Sequence, residues 1–145
     1  MVINMNKYVD KIIELAEIAY NNDEIPVGAI VVKNNKIIGE GYNKRNMNKS
    51  VLGHAELDAI EEACKFVGDW RLDDCELYVT LKPCMMCAGA IVESRIRKVY
   101  YLCNRTNVCF NYDNALNLMK INNSKKVDKY LKILQKFFEN KRNKL

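Results

Sequence analysis

The sequence predicts an α/β domain built on a mixed sheet, and three patterns carry that reading. Two apolar runs flanking Asn34-Asn35 form a hairpin, hence an antiparallel pair. A strand, a helix and a second strand follow one another over residues 76–102, which implies a right-handed crossover and a parallel pair. Amphipathic helices open and close the chain. At 145 residues the chain, 1–145, is most economically one domain, large enough to bury a continuous core without disulfides.

The first helix is expected over 7–21, where Val9, Ile12, Ile13, Ala16, Ala19 and Tyr20 recur at helical spacing. Pro26 fixes its own φ and biases Ile25 to an extended shape, and Gly28 allows close approach of another backbone or a ligand. Strands follow at 29–33 and 36–40. A polar loop then runs to about Leu52, and Asn43 sits where the second strand exits. The second helix spans 54–66, with Leu57, Ile60, Ala63 and Cys64 on its apolar face. Trp70, in the next loop, reads as a packing anchor. A strand at 76–80 leads through Pro83, which suits a first helical position, into a helix at 84–94. A strand at 97–102, a polar loop to 112 and a short helix at 113–119 come next. The last helix, 126–142, turns Tyr130, Ile133, Leu134, Phe137 and Phe138 inward and its lysines outward.

The chain start lacks the apolar core of a signal peptide, and no apolar run is long enough to span a bilayer. A cytoplasmic setting with no membrane partner is therefore expected, and cysteines stay reduced there. Cys64, Cys75, Cys103 and Cys109 show no ligand spacing and read as ordinary thiols. The net charge is +5, and much of it lies in the tail, from Lys120 to Lys144. A basic stripe fits an anionic partner such as nucleic acid, but taken alone it favours a solvated helix face and counts for RNA only where another feature points there.

Chemistry concentrates in two short stretches, His54-Ala55-Glu56 and Pro83-Cys84-Met85-Met86-Cys87. His54 is the only histidine, and Cys84 and Cys87 stand one helical turn apart. Each stretch falls at a predicted helix N-terminus, where the dipole favours a thiolate. Three ligands and one spare acid suit a catalytic zinc site, since a structural site normally takes four protein ligands. Redox use of Cys-x-x-Cys is the competing reading. Residues two apart on a helix point about 200° apart. His54 and Glu56 can therefore converge only if the helix aims its N-terminus at the site. Zinc on His54, Cys84 and Cys87 would activate a water, with Glu56 moving the protons.

The His-x-Glu and Pro-Cys-x-x-Cys pair is the signature of zinc nucleobase deaminases. Together with Glu24-Ile25-Pro26-Val27-Gly28-Ala29, Gly39-Glu40-Gly41-Tyr42-Asn43 and Ser94-Arg95-Ile96, it resembles the bacterial tRNA-specific adenosine deaminases over residues 7–102. These enzymes convert the wobble adenosine of an anticodon loop to inosine. The resemblance implies a three-layer α/β/α cytidine deaminase-like domain and one Zn2+ per subunit. It also implies a homodimer with the tRNA anticodon loop bound near the subunit interface. It further implies substrate contacts from Asn43, from the Val27 region and from backbone around Thr80 and Leu81.

Three features depart from the family pattern. Lys82 stands where the family usually has Glu. The stretch 103–110 replaces a loop that usually contacts RNA. The region before the last helix is short, so the sheet is expected to hold four to five strands, the C-terminal one reduced or missing. Two other functions fit the same motifs: a small-molecule deaminase for guanine or a cytosine nucleotide, and a zinc-stabilised partner subunit without activity. An intact Glu56 speaks against the latter.

Overall fold

The computed structural model of the chain describes residues 2–106 and 112–143. Five strands form one sheet in the order β2-β1-β3-β4-β5. They are β1 (Gly28–Lys33), β2 (Lys36–Tyr42), β3 (Cys75–Leu81), β4 (Lys98–Cys103) and β5 (Leu118–Lys120). β1 pairs antiparallel with β2 and β3, whereas β3–β4 and β4–β5 are parallel. The mixed sheet expected from the hairpin and the crossover is thus present. Asn34 and Asn35 both adopt positive φ, 51° and 62°, as a tight hairpin turn requires.

Helices cover both faces. α2 (Ala55–Val67) and α3 (Met85–Ser94) pack on one, and α1 (Val2–Asn21) and α4 (Ser124–Asn143) on the other. The strands alternate between the two cores. Ala29, Val31, Leu77, Val79 and Val99 face α2 and α3, while Ile30, Val32, Tyr78 and Leu102 face α1 and α4. This period of two is what a sheet buried on both sides imposes. No described helix is long and apolar enough to cross a membrane.

Four expectations need correction. The short helix at 113–119 is a single 3-10 turn, Asp113–Ala115, followed by β5. Leu118, Met119 and Lys120 pair with Val99, Tyr100 and Tyr101, because the open edge of β4 offers a ladder that three residues can satisfy. The fifth strand is therefore present, in reduced form. α1 begins at Val2, and Met5 extends its packing onto the core. Phe138 is 45% exposed, whereas its neighbour Phe137 is buried. Consecutive helical residues point about 100° apart, so only one of the two can face the core. Trp70 is half exposed, with the guanidinium groups of Arg71 and Arg95 at 4.5 and 5.0 Å from its ring. Cys109 and the second half of the altered 103–110 stretch, residues 107–110, lie outside the described residues.

Close approach of glycines sets where α2 sits. A Cβ on Gly41 would lie 2.2 Å from the Ala55 carbonyl oxygen, and one on Gly39 equally near that of Ala59. β2 and α2 therefore pack almost backbone to backbone, which fixes the height of the α2 N-terminus over the sheet.

Candidate active site

Two helix N-termini meet near the carboxyl ends of β3 and β4. His54 is the N-cap of α2 and Cys84 the N-cap of α3, both with extended backbone. Neither side chain caps its own helix, although that is the usual work of such a position. They face each other instead. His54 Nδ1 lies 3.6 Å from Cys84 Sγ and 3.4 Å from Cys87 Sγ. Among the described residues, His54, Cys84 and Cys87 form the one group that could hold a metal ion, with ligand atoms all within 4.8 Å of one another.

The two thiols are not equivalent. Hydrogen bonding to Cys87 holds Cys84 down at about 3, and contact with the His54 ring adds to this. The same bond to Cys84, together with burial, pushes the Cys87 thiol up. Its bond to Cys84 likewise raises His54. Protein alone thus stabilises one thiolate and leaves a proton on the other sulfur. A divalent cation would displace the remaining protons from the ligand atoms. The donor set of one imidazole and two thiolates suits zinc. With tetrahedral bonds of about 2.0 Å to nitrogen and 2.3 Å to sulfur, N···S separations would come to roughly 3.5 Å. The observed 3.4 and 3.6 Å fit that geometry.

His54 and Glu56 line a common cavity of about 320 Å³. The end-on helix therefore achieves the convergence that the two-residue offset demands. Glu56 is 4% exposed, and its carboxyl is pushed up to about 7. Burial is the main cause, and the Cys84 thiolate adds to it. The α2 backbone N–H, His54 and Arg105 pull the other way.

Of the other expected site residues, Asn43, Val27 and Leu81 line the cavity. Asn43 is held by both ends of its amide. Nδ2 donates to the Ile25 carbonyl at 3.2 Å, and Oδ1 accepts the Arg45 N–H at 3.1 Å. An asparagine amide retains one donor and one lone pair after two such bonds. Thr80 is not among the lining residues. It is fully buried, and its Oγ1 accepts the Gly28 N–H at 3.1 Å. Beside it, Tyr130 donates to the Pro26 carbonyl at 2.7 Å, which braces the backbone next to Val27.

The walls also contain residues that the sequence did not single out for the site. Arg45 and Arg105 bring positive charge, and Leu131, Leu134 and Phe138 of α4 form an apolar side. Only the heptad-like spacing of α4 hinted at the latter, and it pointed to the core. Lys82 forms an ion pair with Asp113 at 2.7 Å, and Tyr112 donates to the Pro83 carbonyl at 2.7 Å. The turn before Cys84 is thus braced by the segment leading to β5.

Layers, strand order and donor set together define a protein of the cytidine deaminase-like class. A family model for MafB19-like deaminases matches residues 3–142. The chain is 39% identical to the tRNA-specific adenosine deaminase of Buchnera aphidicola subsp. Schizaphis graminum, over 98% of this chain and 99% of that one. It is also 46% identical to the tRNA-specific adenosine deaminase of Bacillus subtilis, over 65% of this chain and 58% of the relative's length. On the family model and the full-length relative, the chain belongs to the MafB19-like deaminases and to the family of the bacterial tRNA-specific adenosine deaminases.

Solved structures agree on the fold. One comes from work on A-to-I editing by tRNA:A34 deaminases at the wobble position of transfer RNA. It has a TM-score of 0.76 and 27% identity, covering 86% of this chain and 99% of that one. Another is a guanine deaminase from Bacillus subtilis, with a TM-score of 0.66 and 38% identity, covering 70% of this chain and 66% of that one.

Proposed function

We propose that the protein hydrolyses adenosine to inosine at the wobble position of a tRNA anticodon loop, releasing ammonia. The observation that carries the reaction is the meeting of His54, Cys84 and Cys87 within 4.8 Å beside the cavity that buried Glu56 also lines. The full-length likeness to a tRNA-specific adenosine deaminase supports the substrate.

In this reading His54, Cys84 and Cys87 hold one zinc ion, which supplies Lewis acidity and lowers the pKa of water. Glu56 takes a proton from the water that attacks C6 of the purine. It delivers that proton to the adjacent ring nitrogen and carries another to the departing amine. A carboxyl that titrates near neutrality suits both directions of transfer. Asn43 offers its remaining amide donor and lone pair to the flipped nucleoside. Val27 and Leu81 flank the base. Thr80 serves through its bond to Gly28 N–H rather than by contact. Arg45 and Arg105 stand where flanking phosphates of a splayed loop would run. A cytoplasmic homodimer, built as one domain per chain, completes the proposal.

The likeness to a guanine deaminase favours a second reading, deamination of a free base at the same centre. Purified protein is offered an anticodon stem-loop with adenosine at the wobble position, free guanine and deoxycytidylate, and ammonia release is followed. Turnover of the stem-loop alone is expected. Turnover of guanine with none on RNA replaces the first reading with the second.

A further inference from the structure

Glu24 precedes β1 and is 1% exposed, yet it does not line the cavity. A carboxylate taken out of water needs strong partners. No lysine or arginine pairs with it among the described residues. Its partners are two consecutive backbone amides. Oε1 accepts the Asn46 N–H at 3.0 Å, and Oε2 accepts the Met47 N–H at 2.7 Å. Both belong to the loop that joins β2 to α2 and delivers His54.

Arg45 sits immediately before this pair and is among the residues that line the cavity. Its N–H is bound by Asn43 Oδ1 at 3.1 Å, and its carbonyl accepts the Ser50 N–H at 3.0 Å. The Arg45 backbone is thereby held on one side by Asn43 and on the other by the two amides that Glu24 grips. Arg45 itself is exposed, and its side chain is long. A guanidinium can present its fork to a phosphate reproducibly only if the backbone beneath it is fixed.

We propose that Glu24 is a positioning residue: it clamps Asn46 and Met47 so that Arg45 is presented at the cavity mouth to a phosphate of the RNA next to the target base. The second half rests on the proposed function; the clamp itself does not. Gln is nearly isosteric with Glu, but it turns an NH2 toward one of the two amides. E24Q therefore breaks one bond of the pair and opposes donor to donor.

Two measurements test this. The first is hydrogen exchange at the Asn46 and Met47 amides of the free protein. E24Q is expected to raise exchange there by about tenfold or more, from the loss of a charge-assisted bond. It should leave the amides of α3 unchanged, and one zinc per chain should be retained. Unchanged exchange at both amides overturns the clamp, whatever the substrate proves to be. The second is KM for the anticodon stem-loop in E24Q, R45A and the double variant. Each single change is expected to raise KM by about tenfold with kcat within a few-fold. The double variant should be no worse than R45A alone, because the two act as one unit. Independent, multiplying effects, or a loss confined to kcat, overturn the link to Arg45. A wild-type protein that does not turn over RNA sinks the functional reading and the phosphate contact together, while the exchange result still decides the clamp.

Discussion

Glu56 is buried beside a thiolate, and burial strips the water that would stabilise its charge, so its carboxyl titrates at about 7. That has a consequence for the metal-free protein. The folded chain holds its Glu56 proton more tightly than an unfolded carboxyl, whose value is 4.5. Between those values the native state binds more protons, so stability falls as pH rises through the window. Above it the penalty is complete, about 3 kcal/mol for this difference. In chelator-treated protein, E56Q should therefore be more stable than wild type in denaturant titrations at about pH 8 and nearly equal to it near pH 4.5. A stability difference that does not change with pH would contradict the buried, raised carboxyl. Glu56, His54, Cys84 and Cys87 were legible in the sequence because their chemistry is rare and their spacing is local. Arg45 and Arg105 were not, since an arginine in a polar loop has no pattern until the chain closes around it. Lys82 shows the same limit: its partner Asp113 is 31 residues away.

At the scale of elements, the site depends on how close α2 approaches β2. Gly41 leaves no room for a methyl group, because its Cβ would meet the Ala55 carbonyl at 2.2 Å. Neither backbone can swing aside as a flexible side chain would. G41A is expected to destabilise the fold by about 1–3 kcal/mol, as overpacking does. It should also shift the α2 N-terminus, and with it His54 and Glu56. The readouts are the thermal midpoint and zinc content by elemental analysis, both of which should fall. An unchanged midpoint with full zinc would mean that the packing is looser than described. Helices α2 and α3 were legible to within a residue, since Pro83 and the apolar periodicity mark them. The single-residue offset matters here, because it makes His54 and Cys84 caps whose side chains are free to point at each other. The reduced fifth strand was allowed for, but its residues were assigned to a helix at 113–119, because three residues carry too little pattern. Its existence depends on the waiting edge of β4, which is a tertiary fact.

For the whole molecule, the question is where its positive charge acts. The final helix is rich in lysine, but Lys126, Lys129 and Lys141 lie within ion-pair distance of Asp10, Glu17 and Asp23, all in or just after α1. The side of α4 that reaches the cavity is Leu131, Leu134 and Phe138. Charge at the cavity comes from Arg45 and Arg105 instead. Replacing Arg45 and Arg105 with alanine should weaken stem-loop binding and flatten its dependence on salt, by a slope of about 1 for each phosphate no longer neutralised. Replacing Lys129 and Lys141 should do much less to either. The reverse ranking, measured as Kd across a salt series, would return the lysine face to the role of RNA grip. The sequence showed the stripe, but composition alone could not reveal that three of its lysines have acidic neighbours in or just after α1. The three-layer architecture was legible from the hairpin, the crossover and the family motifs, which are local or ordered along the chain. Which side of each helix meets the cavity was not, because that follows from how the layers stack.

The most direct test of the central claim is mass spectrometry of the wobble nucleoside after zinc-loaded protein has acted on an anticodon stem-loop. Adenosine should become inosine with wild-type protein. It should stay adenosine with E56Q, which should still hold one zinc per chain. Inosine formed by E56Q, or unchanged adenosine with a wild-type protein that deaminates free guanine, would contradict the account.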